Sequence, residues 1–209
     1  HHANSLLHLV NQLLELSRLE AGALTPQPTE GDLAAFLRQQ VAAHLTTAES
    51  RRVRLLAHLP DQRVLTPFDP HVMERMVSNL LGNALKFTPA HGEVTLTLHG
   101  AQRAVRIAVA DTGIGIPTSE LERIFDRFYQ VDSSPGRAYG GTGIGLALTR
   151  ELAGLVGGSV AVTSTPGQGS TFTLHLPVPH LQIVPLATNP PPANFAPANC
   201  PPPGCPPSG

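Results

Sequence analysis

Three side chains in SNLLGNALKFTP, residues 78–89, pose the first question of chemistry. Asn79, Asn83 and Lys86 are spaced four and three apart, so on a helix they share one face. Asparagine is a poor helix former and has little local reason to recur on one stripe. Two amide oxygens and an ammonium suit a metal–phosphate: neutral oxygen serves Mg²⁺ where the phosphates already bring negative charge. A solvated polar face would give the same pattern. In DTGIGIP, residues 111–117, Asp111 ends a strand and a GxG turn follows. A buried carboxylate there needs a donor, and the exocyclic amine of a base would serve, although ordinary turns also produce this motif. In YGGTGIGLAL, residues 139–148, Gly140, Gly141, Gly143 and Gly145 lead into a helix. Their backbone amides can cradle phosphates at a helix N-terminus. The stretch has neither the GK[ST] of a P-loop nor the preceding buried strand of a dinucleotide fingerprint. DRFYQVDSSPGRAYGG before it is long and polar, the composition of a mobile lid. TPGQGSTF, residues 165–172, reads by itself as a hairpin turn.

These candidates need elements to hold them. Asp32 caps a helix over LAAFLRQQVAAHLTTAES, with Leu33, Phe36, Leu37, Val41 and Leu45 inward. RVRLLAHLP reads as a strand ending at Pro60. From Pro70 a second helix carries the stripe Val72, Met73, Met76, Val77, Leu80, Leu81, Ala84 and Leu85, opposite the asparagine face. EVTLTLHG and AVRIAVAD alternate as paired strands. Short helices span Thr118 to Phe125 and Gly143 to Val156, and two strands around TPGQG close the domain. Strands and helices mix without regular βαβ alternation. The fold class expected is a two-layer α/β sandwich, a largely antiparallel sheet with helices on one face.

In 209 residues of 41% hydrophobic content there is material for one core plus appendages. Net charge is −1 and aromatics are 4%, which argues against a nucleic-acid partner. No apolar run approaches the ~20 residues of a membrane span, so this segment is expected to be cytoplasmic without membrane contact. Before the domain, Leu6, Leu9, Leu13 and Leu16, with Leu7, Val10 and Leu14 beside them, form a wide apolar face ending near Gly22. One helix cannot hide that face, so a partner helix is implied. After it, residues 185–209 hold ten prolines and only Leu186 and Phe195 as large apolar side chains. That composition predicts a disordered tail, inert or a ligand for a proline-recognition domain. Cys200 and Cys205 lie in it and support no metal or disulfide framework for the core.

Taken together, in this order and spacing, the motifs closely resemble the catalytic ATP-binding domain of the sensor histidine kinases, of the Bergerat type. SNLLGNALKFTP looks like the N box, DTGIGIP the G1 box, IFDRFYQ the F box, GGTGIGLAL the G2 box and GQGSTF the G3 turn. The resemblance runs from about Leu6 to Pro177 and implies ATP and Mg²⁺ as cofactors. It implies that Asn83 holds Mg²⁺, with Asn79 near the phosphates and Lys86 neutralising charge. Asp111 would accept the adenine amino group, which selects ATP over GTP. Gly113, Gly115 and Ile116 would pass near the base. Gly141, Thr142, Gly143, Gly145 and Leu146 would line the phosphates. Phe125 and Phe128 would anchor the lid's edge. Gly169 and one of Ser170 or Thr171 would support the adenine end. Many relatives read FYR where this chain reads FYQ, with Gln130. Arg137 therefore becomes the candidate for reaching the terminal phosphate, with Arg127 behind it. The FYQ and RAYGGTG combination is more typical of kinases with a receiver domain after the ATPase, yet here the chain turns to proline.

Such kinases phosphorylate a histidine followed directly by Asp or Glu. None of the ten histidines here has an acidic next neighbour. HLVNQLLELSRLEAG instead resembles the second helix of the dimerising hairpin, which leaves His1, His2 and His8 as flanking residues. The organisation expected is residues 1–24 as that helix, 25–179 as the ATP-binding domain and 180–209 as the tail. The expected partners are a response-regulator receiver domain, the missing first helix and a second copy joined through the hairpin. The parent protein's membrane attachment is left open.

Overall fold

The computed structural model describes residues 10, 13–14, 17–19, 21–101, 103–131 and 142–185. Residues 10, 13–14 and 17–19 are helical, and Gly22 ends that helix in the left-handed region at φ 63°. Val10, Leu13 and Leu14 are exposed. The rest of that expected helix, His1, His2 and His8 included, lies outside the described residues.

Among the described residues, eight strands, three helices and two 3₁₀ turns follow. Strand β1 (Thr29–Asp32) leads into helix α1 (Leu33–Arg51), then β2 (Arg54–His58) and β3 (Arg63–Phe68). Helix α2 (Pro70–Phe87) precedes β4 (Glu93–Ala101) and β5 (Ala104–Asp111). The 3₁₀ turns Thr118–Glu120 and Arg123–Phe125 stand where one short helix was expected. Helix α3 (Gly145–Leu155), β6 (Ser159–Thr165), β7 (Gly169–Pro177) and β8 (Gln182–Val184) complete the order.

A five-stranded sheet, β2-β4-β5-β7-β6, is antiparallel except where β2 runs parallel to β4. Its alternation decides the layers: Val94, Leu96, Leu98, Val105, Ile107, Val109, Phe172, Leu174 and Leu176 are all buried. The helices cover that face. All eight stripe residues expected on α2 are buried. On α1 the buried stripe is Leu33, Ala34, Leu37, Val41 and Ala48; the seam follows Val41 to Ala48, and Leu45 is rotated off it and exposed.

A second sheet, β1-β3-β8, was not expected from the sequence. TEGD has no strand composition, and RVLTPF carries a proline that argues against a central strand. Pro67 falls past the end of β8, which pairs only with Arg63–Leu65, so β3 is one-sided there. The tail boundary also moves. Residues 182–184 pair with β3, the Thr66 hydroxyl donates to His180 O at 2.8 Å, and His180 Nε2 lies 2.7 Å from Glu30. Ordered chain therefore continues beyond 179. The proline-rich remainder from residue 186 lies outside the described residues.

Candidate functional site

The site is built at one end of the five-stranded sheet, where β5 stops, β7 starts and the helices converge. Helix α2 is set at its start by Asp69, whose carboxylate accepts from the amides of His71 and Val72 at 2.9 and 3.1 Å, with Pro70 at the first position. Burial of the apolar stripe then turns Asn79, Asn83 and Lys86 to the opposite, half-buried face. Asn79 Nδ2 donates to Gly145 O at 3.3 Å, across 66 residues of chain, and joins this face to the start of α3. Lys86 Nζ lies 4.5 Å from the Phe87 ring centroid. Burial lowers the Lys86 ammonium pKa, and the charge of Arg51 lowers it further. Arg51 donates to the carbonyls of Leu85 and Lys86 at 3.5 and 3.4 Å and so finishes the C-terminal end of α2.

Asp111 closes β5, opposite Ser170 on β7. Its Oδ1 accepts from the Gly113 amide at 2.8 Å. Burial raises its pKa above the ordinary 3.8, and bonds from the Gly113 and Ser170 amides pull the other way without cancelling that rise. A carboxylate so placed, short of donors in a half-buried setting, can accept from an incoming N–H. The turn that follows is wedged between α2 and the β6–β7 hairpin: Ile114 N donates to Phe87 O, and Gly167 N donates to Ile114 O at 2.8 Å. Gly169 makes this closeness possible. Its φ is +106°, and a Cβ there would lie 1.8 Å from Asp111 O.

Ser170 is buried beside Asp111, whereas Thr171, one residue on, shares Ala110's side of the sheet. Of the two residues left open, Ser170 is the one turned inward. Sequence reading missed Ser164. Its hydroxyl accepts from Ile116 N at 2.8 Å, donates to Gly169 O at 2.9 Å and lies 2.9 Å from the Ser170 hydroxyl. The signal was available: Val160, Val162 and Ser164 share the inward register of β6, and a hydroxyl at an inward position needs partners.

Helix α3 begins differently from the other two. Ile144 is at its N-cap and no side chain caps it. Among the described residues no side chain caps its first turn, which leaves the first-turn amides, those of Gly145 and Leu146 among them, able to meet an anion at the positive end of the helix. Gly143 enters it at φ +67°, where a Cβ would meet the Phe128 backbone at 2.7 Å, and Phe128 N donates to Gly143 O at 2.9 Å. That bond ties the two ends of the expected lid together. Phe128 is exposed and itself left-handed, at φ 62°. Thr142 Oγ1 accepts from Ile144 N at 3.3 Å. Arg137 and Gly141 lie outside the described residues. Tyr129 donates to Glu120, and Arg123 stacks 4.2 Å from the Tyr129 ring, fixing the F-box edge.

The amide oxygen of Asn83 fits a divalent cation. Asn83 is half-buried, one turn from Asn79 on the same face of α2, and its side chain has no hydrogen-bond partner among the described residues. Among those residues there is also no cluster of three His, Cys, Asp or Glu side chains able to hold a metal unaided, so phosphate oxygens would have to complete the shell. No described helix is long and apolar enough to cross a membrane.

Residues 68–180 match the family model described as histidine kinase-, DNA gyrase B- and HSP90-like ATPase. The chain is 40% identical over 174 residues to the circadian input-output histidine kinase CikA of Synechococcus elongatus, covering 82% of this chain and 23% of that protein. It is 34% identical over 176 residues to the sensor-like histidine kinase SenX3 of Mycolicibacterium smegmatis, covering 84% of this chain and 45% of that one. It thus spans less than half the length of both relatives. Full-length ShkA, solved in complex with AMPPNP, superposes with a TM-score of 0.75 at 33% identity, covering 87% of this chain and 37% of that chain.

Proposed function

Because the chain belongs to the histidine kinase-, DNA gyrase B- and HSP90-like ATPase family, as the catalytic ATP-binding domain of a sensor histidine kinase, we propose that it donates the γ-phosphoryl of ATP to a histidine on a helical hairpin, for relay to a response regulator. The observation that carries this reading is the Asn79–Gly145 bond. It ties the α2 face that also bears Asn83 and Lys86 to the start of α3, and that tie supports the reading that amides, an amide oxygen and an ammonium serve one ligand.

In this reading Asp111 accepts the adenine amino group while the Gly113 and Ser170 amides hold its carboxylate in place. Gly113, Gly115 and Ile116 form the floor under the base, and Ser164, Gly169 and Ser170 brace it from below. The open amides of α3 receive phosphate oxygens, and Lys86 adds positive charge beside them. Mg²⁺ on Asn83 supplies further neutralisation of the phosphates when bound. Phosphoryl transfer is mostly positioning and charge stabilisation, and this chain supplies both. The acceptor comes from a hairpin whose second helix HLVNQLLELSRLEAG resembles, and Arg137 is assigned to the terminal phosphate by resemblance.

Mixing the chain with an acceptor-bearing histidine kinase hairpin and γ-labelled Mg-ATP tests the reading. Label on the hairpin histidine is the expected result. ATP binding without label on that histidine would sink the transfer and leave a nucleotide-binding regulatory module.

A further inference from the structure

The outward face of the five-stranded sheet carries chemistry that the nucleotide site leaves unused. Since Leu98, Val105, Ile107, Leu174 and Leu176 are buried against the helices, their alternate neighbours face away. The register sets His99 opposite Arg106, and Arg106 opposite His175, in one row across β4, β5 and β7. All three are exposed and line a depression of about 140 Å³ with Gly100, Ala104 and Val105. None of their side chains forms a hydrogen bond or ion pair with another described residue.

The charge balance of this face is one-sided. Its strands carry two acidic residues, Glu93 and Asp111, both at the far end. Glu93 is paired with Arg54, and Asp111 takes its amide bonds on the helix side. Around the row, β2 contributes His58 beside Thr97, the β4–β5 turn contributes Arg103, and β6 contributes Ser159 opposite His175. No described carboxylate stands among them.

Directly opposed residues on neighbouring strands have Cα atoms ~5 Å apart, so both imidazoles reach a group held by the guanidinium between them. Arginine presents a planar fork that matches carboxylate or phosphate bidentately, and each imidazole has an N–H to donate whatever its charge. Small-molecule pockets run to about 300–1,000 Å³, so this depression admits one such group and not a nucleotide. We propose that His99, Arg106 and His175 form an oxyanion site for a phosphate or carboxylate group, separate from the ATP pocket. It lies on the opposite face of the sheet and, along β5, about 17 Å from Asp111.

The site is tested on the full chain saturated with Mg-AMPPNP, by following the His99 and His175 imidazole signals in NMR. Inorganic phosphate, citrate and a glutamate-rich hexapeptide are added in separate titrations. Both signals should move together and saturate with at least one of them. Arg106→Gln should weaken that binding at least tenfold, Arg106→Lys should retain part of it, and AMPPNP affinity should be unchanged in both. Response to phosphate or citrate alone identifies a free anion as ligand; response to the peptide alone identifies a protein-borne carboxylate. No saturable movement with any of the three, or movement identical in Arg106→Gln and in a His99→Gln/His175→Gln variant read at Ala104 and Ala108, overturns the site.

Discussion

Three aspartates close three strand or loop ends in this molecule, and they fall into two kinds. Asp32 and Asp69 cap α1 and α2. Burial pushes both upward, but amide bonds outweigh it: Val64, Ala35 and the Arg63 guanidinium for Asp32, and Gln27, Val72 and His71 for Asp69. Both end below the ordinary 3.8. Asp111 also accepts backbone amides, yet burial prevails and its pKa rises. The first two are satisfied where they stand, and the third is left wanting a donor. The helix starts divide the same way: α1 and α2 have carboxylate caps, and α3 has none. Asp32 and Asp69 have their partners within the chain, and on the proposed reading Asp111 and the start of α3 are completed by the nucleotide.

The sharpest way to break that division is to fill the space behind Asp111. Gly169→Ala places a Cβ against Asp111 O and demands a backbone region that alanine rarely adopts. It should destabilise the domain by about 3 kcal/mol, from strain and overpacking together, and weaken nucleotide binding as well. Urea unfolding and AMPPNP titration measure the two effects.

Asp111→Asn separates binding from stability. Nucleotide affinity should fall about 100-fold, or ~2.7 kcal/mol, while stability at neutral pH holds or rises. The sign follows from the raised pKa: the stability Asp111 contributes is complete below 3.8 and lost as pH rises through its higher folded value, so the asparagine variant escapes that loss. An unchanged AMPPNP affinity in the variant refutes the base contact. The capping aspartates run the other way, their contribution being present above 3.8 and lost as pH falls through their lowered folded values.

Asp69→Ala should therefore lower stability by about 1–2 kcal/mol at pH 7 and by less at pH 3, read by thermal melts at both, with AMPPNP affinity intact. A loss of affinity comparable to that of Asp111→Asn would erase the distinction between the two kinds.

The smallest effect has the opposite sign. Gly82 lies mid-helix on the exposed side of α2, and a Cβ there meets nothing within 4 Å. Gly82→Ala should stabilise by about 0.5–1 kcal/mol through helix propensity, without change in AMPPNP binding. A loss of AMPPNP affinity would mean that this glycine, too, serves the site.

The sequence by itself determined what is local or strictly periodic. The α2 stripe, the Asp32 cap, the alternation of β4 and β5 and the order of the glycine turns were all legible, because each depends on spacing along one segment. Only the tertiary structure decided what depends on residues far apart in the chain. The sheet β1-β3-β8 joins segments that look like loops, since pairing partners about 35 residues away for β1 and about 120 away for β8 are what satisfy their backbones. Ser164 becomes a brace only when β6 meets the turn after Asp111. The start of α3 meets the asparagine face only because packing of α2 brings Asn79 to Gly145, and the rise in the Asp111 pKa comes from burial that no single segment can impose.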